Sequence, residues 1–103
     1  MITAAQLRAA RALLAIDQRR LAELSGLSVP TIQRMETSEG TIRGNVDSLT
    51  KLVAALDGAG IELIGEGAAS MAGGRGVRLT AVSDITKPRR GGARSAERRK
   101  AEA

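Results

Sequence analysis

The sequence predicts a mainly α-helical domain of four to five helices, followed by a short β-hairpin and a disordered basic tail. Three observations lead there. Apolar residues recur at helical spacing over the first sixty or so positions, and a capping residue precedes each run. Two short alternating runs, GIELIG (60–65) and GVRLTAV (76–82), flank the glycine-rich connection GAASMAGGR and read as two strands. From Lys87 onward, KPRRGGARSAERRKAEA is polar, basic and nearly free of apolar anchors. The expected division is 1–60, 61–85 and 86–103.

The elements follow in order. Thr3 and Gln6 have the spacing of a capping box that opens a first helix. Leu7, Ala10, Arg11 and Leu14 then share one face, with Arg11 at its edge. Asp17 caps a second helix that runs to about Leu24, with Leu21, Ala22 and Leu24 as its apolar stripe. Ser25 and Gly26 end it, since glycine suits the left-handed backbone of a helix stop. Ser28 caps a third helix spanning Val29 to Glu36, and Pro30 falls in its first turn, where a missing N–H costs little. Ile32 and Met35 face inward at i, i+3 spacing. A fourth helix begins near Asn45 to Asp47, points Leu49, Leu52, Val53 and Leu56 inward, and ends at Gly58 and Gly60. A lone hairpin is marginal in water, so residues 61–82 are expected to pack on the helices or pair with a second copy, and a homodimer contact is favoured.

Composition removes whole classes of function. There is no Cys and no His among the 103 residues. That excludes a disulfide framework, thiol chemistry and a zinc site, and removes the commonest general base and nucleophilic triads. Carboxylates are scattered, so no catalytic residue, no metal ligand and no cofactor is assigned, and an enzyme is not expected. The absence of aromatic residues takes away base-stacking platforms and argues against single-stranded nucleic acid. It also leaves only a small aliphatic core, which favours a dimer. No stretch has the length of a membrane span, the N-terminus lacks signal-peptide features, and a cytoplasmic protein is expected.

Charge is unevenly placed. Residues 1–85 carry nine Lys or Arg and nine Asp or Glu, whereas the tail carries seven bases and two acids and supplies the whole net charge of +5. As a cationic arm the tail would add non-specific affinity for DNA; as a solvated terminus or partner-binding segment it would not. The glycines at 65, 67, 73, 74 and 76 lack the following Lys-Ser/Thr pair of a phosphate loop and read as a hairpin connection.

The stretch from Gln18 to Thr37, QRRLAELSGLSVPTIQRMET, carries the functional signal. It has the layout of a DNA-reading helix-turn-helix: two short helices around a glycine turn, closing over the small side chain of Ala22. The chain resembles the lambda-repressor-like (Xre/Cro-type) family of helix-turn-helix regulators. With Gln18 as the first motif position, that family has a small residue at the fifth, glycine at the ninth and a branched apolar residue at the fifteenth. Ala22, Gly26 and Ile32 stand there, and Met35, Glu36 and the preceding Arg11 also match. The resemblance covers residues 3 to about 60. It implies that 1–60 is a DNA-binding domain, and that Gln18 holds the DNA backbone. It also implies a structural salt bridge between Arg11 and Glu36, which ties the first helix to the end of the third.

The remaining contacts come from the helical wheel of the third helix and, for Arg43, from its place in the loop that follows. Val29, Pro30, Gln33 and Arg34 are the expected base contacts, with Arg34 able to fork onto guanine and Gln33 to pair with adenine. Ser28, Thr31, Thr37 and Arg43 join Gln18 as expected backbone contacts. The plainer alternatives are solvated surface residues for Gln33, Arg34 and Arg43 and helix capping for Ser28 and Thr31. The expected function is a sequence-specific double-stranded DNA-binding transcriptional regulator, a homodimeric repressor reading an inverted repeat. One alternative is an antitoxin that autorepresses its operon and binds a toxin. Another is a protein-binding antiactivator that has kept the fold.

Overall fold

A computed structural model describes residues 2–80. Within them the chain forms four helices: α1 (Ala4–Leu14), α2 (Gln18–Ser25), α3 (Val29–Glu36) and α4 (Val46–Gly58). Each begins at a side chain that accepts a free N–H of its first turn: Thr3, Asp17, Ser28 and Asn45. At α1 the box is reciprocal. Thr3 Oγ1 accepts from Gln6 N at 3.1 Å, and Gln6 Oε1 accepts from Thr3 N at 2.9 Å.

The helix ends differ. Gly26 closes α2 at φ 78°, in the left-handed region that glycine enters without strain. Ala15 closes α1 at φ 58°, the one non-glycine residue with positive φ among the described residues. Its N–H caps the carbonyls of Arg11 and Ala12, and the Arg11 guanidinium donates to the next carbonyl, Ile16 O, at 3.2 Å.

The core is aliphatic. Leu7, Leu21, Ile32, Met35, Leu52 and Leu56 are fully enclosed, with Ile2, Ala4, Ala10, Ala22 and Ile42 buried around them. Helix α2 packs on both α3 and α4, and α1 packs on α3. The loop after α3 is pinned to the N-terminus: Ala4 N donates to Gly40 O at 2.9 Å and Ile42 N to Ile2 O at 3.1 Å, around an isolated antiparallel bridge between Thr3 and Thr41. Those bonds fold Ile2 and Ile42 into the core.

Two inward assignments made from the sequence are corrected. Leu24 is 42% exposed, and Ser25 is buried in its place, its hydroxyl donating to Leu21 O at 2.8 Å. At 100° per residue, positions 21, 22 and 25 share a face and position 24 turns away from it. Val53 is 39% exposed for the same reason, since the enclosed pair on α4 is Leu52 and Leu56 at i, i+4.

The expected hairpin does not form among the described residues. Residues 61–80 contain no strand. The first run instead docks on the helices as an extended segment. Ile61 and Leu63 pack against the core, Ile61 N donates to Leu56 O at 2.9 Å, and Gln6 Nε2 donates to Ile64 O at 3.1 Å. The second run stands clear, with Val77 88% and Leu79 68% exposed. The connection offers none of the two-residue turn chemistry that sets hairpin register, and closing so long a glycine-rich loop has a larger entropy cost. Its ends are held otherwise. The Glu62 carboxylate accepts from Ser70 Oγ at 2.6 Å and Met71 N at 2.8 Å, and Arg78 donates to Gly65 O at 2.7 Å and to Ala68 O. Residues 81–85 and the tail 86–103 lie outside the described residues, and the described residues hold four helices without a fifth.

Candidate nucleic-acid interface

The turn between α2 and α3 is three residues, Gly26 to Ser28. So short a link forces α3 to leave at once in a new direction, and Leu27 and Val29 anchor it against the core. Ile32, Met35 and Glu36 are the buried positions of α3. That leaves Pro30, Gln33, Arg34 and Thr37 exposed on the opposite side, and Ser28 exposed at the N-terminal end. These residues form one polar face with a single cationic tip.

A line of side chains organises that face. Ser28 Oγ accepts from Thr31 N at 3.2 Å and lies 2.9 Å from Thr31 Oγ1, and Arg34 Nη2 reaches Thr31 Oγ1 at 3.4 Å. The three residues sit at successive i, i+3 positions, one above the other along the helix. The long contact to Thr31 is weak and leaves the guanidinium free to turn outward. At the other end, the hydroxyls of Thr37 and Ser38 both donate to Arg34 O at 3.1 Å, capping the last turn.

The expected contact residues are therefore not all equivalent. Val29 is half-buried and packed against the core. Ser28 and Thr31 are engaged in local bonds, the helix-capping alternative that the sequence left open, and Thr37 Oγ1 likewise donates to Arg34 O. Arg43 is exposed in the loop after α3, beside buried Ile42, and makes no contact with the α3 face among the described hydrogen bonds. Pro30, Gln33 and Arg34 project freely.

Gln18 sits elsewhere, at the junction of three helices. Glu36, only 5% exposed, is the hub. Arg11 from α1 approaches its carboxylate with two donors, Nε to Oε2 at 2.6 Å and Nη2 to Oε1 at 2.8 Å. Gln18 Nε2, from the start of α2, donates to Oε1 at 3.0 Å. Arg8 Nη1 donates to the Glu36 backbone carbonyl at 2.5 Å. Burial by itself would raise the Glu36 carboxyl. The hydrogen bonds from Arg11 and Gln18, with the charges of Arg11 and Arg8, outweigh it and hold the group below the usual glutamate range. The hydrogen bond to Glu36 raises Arg11 above its ordinary value against the opposing effect of burial.

Sequence reasoning missed two parts of this hub. Arg8 reads as an ordinary exposed helix residue, yet it caps the C-terminus of α3, where a cation also suits the helix dipole. The bond from Gln18 to Glu36 joins residues eighteen positions apart, with no local pattern to announce it.

Among the described residues there is no cluster of His, Cys, Asp or Glu that could hold a metal ion, and no helix is long and apolar enough to cross a membrane. Comparison with known proteins gives no match to any protein family, curated protein or solved structure.

Proposed function

We propose that the chain is a sequence-specific double-stranded DNA-binding regulator of the lambda-repressor-like helix-turn-helix type. The observation that carries the reading is the outward face of α3. On a short helix held through Ile32 and Met35, Pro30, Gln33 and Arg34 face solvent while Ser28 opens the helix. A helix of this size fits the major groove, whose base edges offer acceptors to an arginine fork and paired donor and acceptor sites to an amide. Arg34 and Gln33 are the base readers in this proposal, with Pro30 and the exposed part of Val29 against a thymine methyl. Gln18, at the start of α2, meets a phosphate with the free amides of that helix, and Ser28, Thr31, Thr37 and Arg43 supply further backbone contacts.

The protein acts as a homodimeric repressor in the cytoplasm, reading an inverted repeat with half-sites about 34 Å apart. Residues 61–82 are the proposed contact between copies. Support comes from the exposed apolar side chains of Met71, Val77 and Leu79, on a segment that forms no strand among the described residues. The same surface favours the second reading, an antitoxin whose extension binds a toxin.

Selecting bound duplexes from a random DNA pool tests the proposal. A palindromic enriched motif is the expected outcome. No enrichment, with no mobility shift of any duplex at low salt, overturns it and leaves the protein-binding reading.

A further inference from the structure

Three observations converge on the Glu36 carboxylate. It is almost wholly buried, both of its oxygens are held by the Arg11 guanidinium, and Oε1 also accepts a hydrogen bond from Gln18 Nε2. The first two describe a strut between α1 and α3. The third reaches an element the strut does not need, because α2 is already fixed by Leu21 and Ala22 in the core.

A glutamine amide has two faces with opposite hydrogen-bonding character, an oxygen that accepts and a nitrogen with two donors. Only the nitrogen side can bind an anion. On a free side chain either side can point outward, and long side chains lose rotamer freedom when a ligand fixes them. An ionised carboxylate accepts and never donates, so it takes the nitrogen side and rejects the oxygen. Arg11 grips both oxygens and keeps the carboxylate from swinging.

We propose that Glu36 is a positioning residue for Gln18: it accepts a hydrogen bond from one amide N–H and thereby presents the second N–H, at the N-terminus of α2, to a DNA phosphate. The inference rests on the DNA-reading proposal above. It gives the Arg11–Glu36 pair a task beyond stability, since the pair preorganises a docking contact that neither residue touches.

The test is a mutant cycle on the full chain. The double substitution Arg11→Met/Glu36→Met replaces the pair with apolar groups of similar reach, keeps the net charge, and is expected to fold. Its affinity for the duplex selected by the wild-type protein should fall about ten-fold, the worth of one hydrogen bond to a charged acceptor. The loss should be uniform across sequences, with an unchanged salt slope, because the pair removed carries no net charge and Gln18 is neutral. Gln18→Ala should show the same loss in the wild-type background and none in the double variant. Wild-type affinity in the double variant, or an equal cost of Gln18→Ala in both backgrounds, overturns the proposal.

A second measurement stands if the double variant does not fold. The side-chain amide resonance of Gln18, assigned by its loss in Gln18→Ala, should move as the Glu36 carboxyl titrates; a flat response overturns the proposal. Failure of the DNA reading is distinguishable: the wild-type protein then shifts no duplex, while the amide still follows Glu36.

Discussion

Replacing Arg11 by alanine leaves the Glu36 carboxylate buried without its principal partner. The wild-type side chain supplies two charge-assisted bonds to that carboxylate, at 2.6 and 2.8 Å, and a third donor to Ile16 O at 3.2 Å. The Glu36 side chain is 4% exposed and that of Arg11 23%, so water reaches the remaining carboxylate only from the arginine side. Removing one member of a buried pair costs about 3–5 kcal/mol; with the arginine partly wetted, the lower end of that range, about 3 kcal/mol, applies. In a domain of this size the expected fall in Tm is about 12–24 °C. The loss should depend on pH in a definite direction. Because the folded pKa of Glu36 is depressed, its contribution is fully present above the unfolded value of about 4.3 and is lost as pH falls through the lower folded value. The gap between wild type and Arg11→Ala should therefore be full at pH 7 and shrink in acid, where Glu36 is protonated in both proteins. Circular-dichroism melts across that range are the assay. A loss below about 1 kcal/mol at pH 7, or a gap that stays constant into acid, refutes the buried-pair reasoning. Sequence preference, read from the duplexes that the variant selects, should remain that of the wild type.

Other outcomes follow from single features of the structure. Arg34→Ala should lower affinity for the selected duplex by about 1–3 kcal/mol and relax preference at one base position, measured by competition with single-base variants; a loss equal for all sequences would make Arg34 a phosphate contact. Ala15→Gly should raise stability by about 0.5–1 kcal/mol in a denaturant titration, because a left-handed residue is released from its Cβ while the unfolded chain gains some freedom; a fall would show that the turn is not strained. Gly26→Ala introduces the same strain at φ 78° and should cost about 1–2 kcal/mol in the same titration. Deleting residues 87–103 should flatten the log–log salt dependence of DNA binding by about 0.9 for each phosphate the tail neutralises; an unchanged slope removes the tail from the interface.

Much of the fold was legible because its signals are local. Thr3 and Gln6, Asp17, Ser28 and Asn45 mark helix starts by chemistry that acts over three residues, and Gly26 marks a stop by its own backbone freedom. The outward face of α3 was legible too, since Ile32 and Met35 fix which side is buried and leave Gln33 and Arg34 on the other. Inward faces were less certain at their edges. Leu24 and Val53 are apolar and adjacent to buried positions, and only the packing partner decides whether a residue 100° off the stripe is covered.

The second run, described only as far as residue 80, forms no strand there, for a different reason. Alternation in 60–65 and 76–82 shows that each run can be extended, but not that the two pair with each other. Pairing depends on a turn that sets register, and the glycine-rich connection has none. Tertiary contacts took the first run to the core through Ile61 and Leu63, and the Glu62 carboxylate captured the connection at Ser70 and Met71.

The sequence by itself determined where the helices begin, where the second one stops, which face of the third is polar, and which chemistries a chain without Cys, His or aromatic residues lacks. These follow from spacing and residue type alone. Only the tertiary structure added Arg8 and Gln18 to the Arg11–Glu36 pair that the resemblance implies. The neighbours of Glu36 in space come from positions 8, 11 and 18, on two other helices; the buried carboxylate is tolerated because Arg11 and Gln18 donate to it, while Arg8 donates to the Glu36 backbone carbonyl. No pattern within one helix encodes such a meeting; it exists once three helix axes are fixed by a shared core.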